Sequence, residues 1–92
     1  MIQSFKCEDT HTLFIARKSR LWGNAQSVAL RKLDQLEAAT TLDDLRVPPG
    51  NRLESLKGAR RGQHSIRIND QWRICFIWQP EGAHEVEIVD YH

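Results

Sequence analysis

Long apolar runs, paired cysteines and clustered histidines are missing from this 92-residue chain, and its formal net charge is only +1. No stretch approaches the roughly 18–20 apolar residues that a membrane span needs. The first twenty residues include Lys6, Glu8, Asp9, Arg17, Lys18 and Arg20, which argues against a secretory signal peptide; the cytoplasm is the expected compartment. Cys7 and Cys75 stand far apart, as do His11, His64, His84 and His92. That scatter lacks the paired spacing of a metal site, so two unlinked thiols, no metal and no cofactor are expected. A chain this short makes one domain, taken as residues 1–92, with a single core.

The near-zero total hides a segregated distribution. Arg46 to Arg73 holds seven basic residues (Arg46, Arg52, Lys57, Arg60, Arg61, Arg67, Arg73) against Glu54 and Asp70, a balance of +5 over 28 residues. From Ile74 onward there are four acids and no lysine or arginine, giving −4, while the first 45 residues balance six against six. Local fields, more than the total, steer an anion.

The hydrophobic period changes along the chain. MIQSFK is short enough for one strand. Asp9 or Thr10 suits the cap of a first helix, in which Leu13, Phe14 and Arg17 recur at helical spacing. Asn24 suits the cap of a second, where Ala25, Val28, Ala29, Leu33 and Leu36 form one apolar stripe opposite Arg31, Asp34 and Gln35. Residues 40–51 end in Pro48-Pro49-Gly50-Asn51 and predict an irregular connector. Beyond it, His64, Ile66 and Ile68, then Trp72, Ile74, Phe76 and Trp78, then Val86 and Ile88 alternate as half-buried strands do. The order β-α-α-β-β-β-β predicts an α+β fold, with two helices on one face of a largely antiparallel sheet.

Register follows from parity. A three-residue loop, Asn69 to Gln71, sets Ile68 opposite Trp72 and Arg67 opposite Arg73. It also places His64, Ile66, Ile68, Trp72, Ile74, Phe76 and Trp78 on one face. Arg67 and Arg73 then lie side by side on the open face, an arrangement that calls for something anionic. Tyr91 shares parity with Glu87 and Val89 and is expected on that same face.

Each group has a bland reading and a chemical one. KGARRGQHSIR, residues 57–67, is either a solvated basic turn or a phosphate cradle using Lys57, Arg60, Arg61, His64 and Arg67. Arg73 either pairs with a carboxylate, Glu87 or Asp90, or clamps phosphate together with Arg67. Trp72, Phe76 and Trp78 belong to the core by parity, which leaves Trp22 as the candidate for exposed base stacking. Tyr91 and His92 supply a phenol and an imidazole. With an arginine beside them they could cleave RNA without a metal, which requires a base for the 2′-hydroxyl, a cation for the phosphate and an acid for the leaving oxygen. Binding without cleavage stays open on these residues alone.

The chain resembles the HigB-type toxins of the RelE superfamily. The likeness runs from MIQSF through NRLESLKG and GQHSIRINDQWRICF to the terminal DYH. It is carried by Leu56-Lys57-Gly58, Ser65-Ile66, Trp72-Arg73-Ile74 and Asp90-Tyr91-His92 in order and spacing. The resemblance implies a compact α+β fold with a positively charged sheet face. It also implies ribosome-dependent, metal-independent cleavage of messenger RNA in the A site, by 2′-oxygen attack. Arg73, Tyr91 and His92, with Asp90 beside them, take the catalytic roles, and Lys57 and its neighbours grip RNA. The implied partners are the ribosome with its messenger and a HigA-like helix-turn-helix antitoxin, through which operator DNA would be bound. Glu54 stands where some relatives have histidine, so a base at that place would be Glu54, or His64 from the next strand, or absent. A non-catalytic ribosome-binding module and an antitoxin-binding co-repressor are the alternatives.

Overall fold

The computed structural model describes residues 1–90. Two helices, α1 (Glu8–Ala16) and α2 (Gln26–Ala38), precede four strands, β1 (Glu54–Ser55), β2 (His64–Arg67), β3 (Trp72–Gln79) and β4 (Gly82–Asp90). The strands form an antiparallel meander in the order β1-β2-β3-β4, so the α+β expectation holds. Leu13 of α1 and Ala29, Leu33 and Leu36 of α2 bury against Ile66, Ile74, Phe76, Val86 and Ile88 on one sheet face. Each large aliphatic side chain so buried contributes about 1.5–3 kcal/mol of transfer free energy.

The N-terminal segment is less regular than a strand. It makes two parallel bridges to β4, Ile2 with Ala83 and Phe5 with Val86. Gln3 N–H donates to the Ala83 carbonyl and Lys6 N–H to the Val86 carbonyl, at 2.7 and 3.0 Å. It still covers an edge of β4 that would otherwise be open to pairing. Gly82, at φ +139, is required there, because a Cβ would stand 1.8 Å from the Met1 carbonyl oxygen.

Helix starts differ from the sequence expectation. Cys7, not Asp9 or Thr10, precedes α1, and the buried Thr10 hydroxyl instead accepts a 3.0 Å bond from Ile88 N–H. Asn24 lies inside a short 3-10 turn, Gly23–Ala25, that feeds α2 without a side-chain cap. Arg17 ends α1 in the left-handed region, φ 65. Its guanidinium forks onto Asp34 at 3.1 and 2.7 Å, joining the two helices.

The connector is more ordered than its prolines suggest, with 3-10 turns at Leu42–Arg46 and Pro49–Asn51. Thr41 and Asp44 form a reciprocal capping box at the first. Asn51 is fully buried at the end of the second. Its Oδ1 accepts from the buried Lys32 ammonium, and its Nδ2 donates to Gln35 Oε1 at 3.1 Å and to the Leu45 carbonyl at 3.1 Å. The connector is thereby tied to one face of α2. Burial, then the nearby charge of Arg31, pulls the Lys32 pKa below its ordinary value.

The predicted β2–β3 register is the one observed, with Arg67 paired to Arg73 and Ile66 to Ile74. Asn69 Oδ1 shapes the turn by accepting from Gln71 N–H and Trp72 N–H, at 2.9 and 2.8 Å. An irregularity opposite Phe76, with Glu85 at φ 54, lets Ala83 and Val86 both face the core although they are three residues apart.

Candidate active site

The sheet face turned away from the helices carries Glu54, Ser65, Arg67, Arg73, Cys75, Glu87 and Val89, as the pairings Glu54–Ser65, Ser65–Cys75, Cys75–Glu87, Arg67–Arg73 and Arg73–Val89 require. Arg73 is the charged side chain most enclosed on it, only 7% exposed. Its Nε–H donates to the fully buried Ser65 hydroxyl at 2.8 Å, and Nη2 donates to the Arg52 carbonyl at 2.7 Å. Arg52 presents that carbonyl from a left-handed backbone, φ 46, just after the anchored Asn51. Arg73 is thus fixed by groups from β2 and from the connector.

Each arginine of this face already meets a carboxylate. Among the described residues, Arg73 pairs with the Glu54 carboxylate, at 3.3 Å, where the sequence suggested Glu87 or Asp90. Arg67 pairs with Asp70 across the β2–β3 turn. The Arg67–Arg73 juxtaposition is therefore relieved by two local carboxylates, without an external anion. Arg60 folds back onto Glu87 at 2.8 Å and Gln63 Oε1 at 3.1 Å, and Lys6 approaches Glu87 at 3.9 Å. Lys57 and Arg61 stay exposed on either side of the Gly58–Arg60 turn, with no ion pair among the described residues. A 2.9 Å bond from Leu56 N–H to the Gln63 carbonyl closes this loop at its base.

Cys75 lies fully buried on this face. Burial pushes its thiol pKa up; Glu87 adds to that, against the opposing pull of Arg60, Arg73 and Lys6. Both cysteines are free thiols, Cys7 half-buried.

Two sequence candidates are elsewhere. His64 pairs with Phe76, stacks on its ring at 6.3 Å between centroids, and so belongs to the helix-covered face, opposite Arg67 and Arg73. This agrees with its parity and separates it from the basic residues of the 57–67 stretch that face the other way. Trp22 is buried, packed edge-on against Trp72 at 5.1 Å, so it offers no exposed stacking surface. Asp90 closes β4 opposite Trp72, one step past the Arg73–Val89 pair, and accepts from Gln71 Nε2 at 3.2 Å. Tyr91 and His92, both candidate catalytic residues, lie outside the described residues.

Sequence reasoning missed Ser65 and Arg52 as the groups that hold Arg73. Ser65 was legible in principle, being two residues from Arg67 and hence on its face. The Arg52 carbonyl carried no signal, since backbone contributions depend on the path of the connector.

The family model describing the RelE-like toxin of the type II toxin–antitoxin system HigB matches residues 3–92. The chain is 49% identical over 53 residues to Toxin HigB-1 of Vibrio cholerae, covering 58% of this chain and 56% of that protein. It is 37% identical over 71 residues to an uncharacterized protein of Haemophilus influenzae, covering 77% of this chain and 63% of that protein. The matches thus span less than two thirds of the length of either relative.

Proposed function

The chain belongs to the RelE-like HigB toxins of type II toxin–antitoxin systems, and from that membership we propose that it is a ribosome-dependent endoribonuclease acting on messenger RNA in the A site. In this reading residues 1–92 work as one toxin domain. The 2′-hydroxyl loses its proton and attacks the adjacent phosphorus; the bond to the 5′-oxygen breaks, and that oxygen takes up a proton. The products are a 2′,3′-cyclic phosphate and a 5′-hydroxyl. The protein must hold negative charge on the phosphate and move two protons, and no step requires a metal.

The observation that carries this reading is the placement of Arg73. Its guanidinium is held by two neutral acceptors, Ser65 and the Arg52 carbonyl, and it meets the half-exposed Glu54 carboxylate on the same sheet face. It lies opposite Val89, immediately before Asp90-Tyr91-His92. Arg73 stabilises the phosphate, and Tyr91, His92 and Asp90 share the proton transfers. Lys57, Arg60, Arg61 and Arg67 contact the RNA backbone. A HigA-like helix-turn-helix antitoxin is the proposed partner, linking the toxin to operator DNA, and the cytoplasm, where ribosomes work, is the proposed site of action.

Mapping messenger 5′ ends after brief induction tests this directly. Wild type should create 5′-hydroxyl ends at fixed codon positions inside reading frames, and a variant lacking Tyr91 and His92 should create none. Arrested translation without new ends would make the protein a steric ribosome blocker instead.

A further inference from the structure

We propose that Glu54 is an internal stand-in for the substrate phosphate: its carboxylate occupies the anion-binding side of Arg73 in the free toxin and is displaced when RNA binds. This rests on reading Arg73 as the phosphate-binding residue, and it assigns Glu54 a role other than general base.

Burial and charge lead to this assignment. Among the described residues, the almost fully enclosed Arg73 makes two short hydrogen bonds to uncharged groups, the Ser65 hydroxyl and the Arg52 carbonyl. Glu54 adds a carboxylate at 3.3 Å from Nη2, on the same face because it pairs with Ser65 across β1 and β2.

The two partners are held very differently. The Arg73 side chain is 8% exposed and the Glu54 side chain 51% exposed. Glu54 sits on a two-residue edge strand whose residues are both exposed. An ion pair with one half-solvated partner is weak and exchanges readily. The guanidinium is the fixed half of the site and the carboxylate the replaceable half. A phosphodiester reaching Arg73 would meet Glu54 as a like charge a few ångströms away, so the carboxylate must swing into solvent. Anions too weakly held elsewhere on the face would fail to displace it, whereas RNA also gripped by Lys57 and Arg61 would succeed. Glu54 is in this sense a specificity-determining residue.

The test is Glu54→Gln in the full chain, read by binding and by turnover separately. The binding probe is a single-stranded RNA oligonucleotide with 2′-O-methyl riboses, which cannot be cleaved, followed by fluorescence anisotropy across salt concentrations. E54Q should bind about three- to tenfold more tightly than wild type. The gain should vanish when Arg73→Lys, which lacks the guanidinium fork, is the background. Asp43→Asn, at an exposed carboxylate paired with Arg46, should leave affinity within about twofold. On programmed ribosomes, E54Q should lower the concentration needed for half-maximal cleavage and leave the single-turnover rate at saturation within about twofold.

Unchanged affinity in E54Q, or the same gain in the Arg73→Lys background, would overturn the proposal. So would unchanged affinity with a saturating rate reduced about 100-fold or more, the pattern of a lost general base. If wild type cleaves nothing on ribosomes while E54Q still binds RNA more tightly through Arg73, the stand-in role holds and the nuclease reading fails.

Discussion

His64 keeps its Nδ1 in a buried position without a hydrogen-bond partner among the described residues, which favours the neutral ring. Burial, followed by the charge of Arg46, lowers its pKa from the ordinary 6.5. The unfolded chain therefore binds a proton that the folded protein refuses in the window between that lowered value and 6.5. Stability from this residue is fully present above the window and is lost as pH falls through it. Urea midpoints measured from about pH 7 down to about pH 5 should fall for wild type, and His64→Phe should reduce that slope. An unchanged slope would mean that the ring finds a proton acceptor on folding. At this same scale Arg73 departs from its sequence description. Parity places it on an open face, but it is enclosed, and removing it would leave Ser65 and the Arg52 carbonyl without their donor. Loss of toxicity in Arg73→Ala is therefore informative only beside a melting curve.

The elements are joined by a small number of buried polar contacts. Asn51 links α2 to both 3-10 turns of the connector and directly precedes the residue whose carbonyl orients Arg73. Asn51→Ala would strand the buried Lys32 ammonium and a carbonyl, and it should destabilise the fold by about 2–4 kcal/mol. Adding Lys32→Met should recover part of that loss, because the uncompensated charge goes with it. Chemical denaturation of the two variants checks both statements, and equal stability of Asn51→Ala and wild type would refute the first. The apolar stripe of α2 and the alternation of β2 and β3 were readable because burial has a fixed period. Helix starts are not legible locally because Thr10 and Asn24 have cap-like chemistry but are used otherwise: Thr10 bonds Ile88, and Asn24 lies in a turn.

Across the whole molecule, the basic stretch from Arg46 to Arg73 reads as +5, yet folding brings Glu87 from the acidic C-terminal part onto Arg60 and sets Glu54 and Asp70 against Arg73 and Arg67. Lys57 and Arg61 remain exposed without such partners among the described residues. Those two should dominate the salt-sensitive part of RNA binding. Replacing both with alanine should weaken binding to single-stranded RNA and reduce the slope of log affinity against log salt by roughly 0.7 per lost phosphate contact. An equal reduction on replacing Lys18 and Arg20, in the segment between α1 and α2, would show that the field is diffuse and not focused on the sheet face.

Much of this protein was determined locally. The α2 stripe, the alternating strands, the Asn69–Gln71 turn and the Arg67–Arg73 pairing all follow from periods and turn chemistry acting over a few residues, and the motifs around Lys57, Arg73 and Asp90 carried the family likeness. Tertiary structure alone decided which charges remain available. Counter-ions for Arg73 and Arg60 come from residues 19 and 27 positions away (Glu54 and Glu87), and the carbonyl that holds Arg73 comes from a connector anchored to α2. No local rule states such pairings, because Coulomb interactions and backbone hydrogen bonds act through space once packing has set the distances.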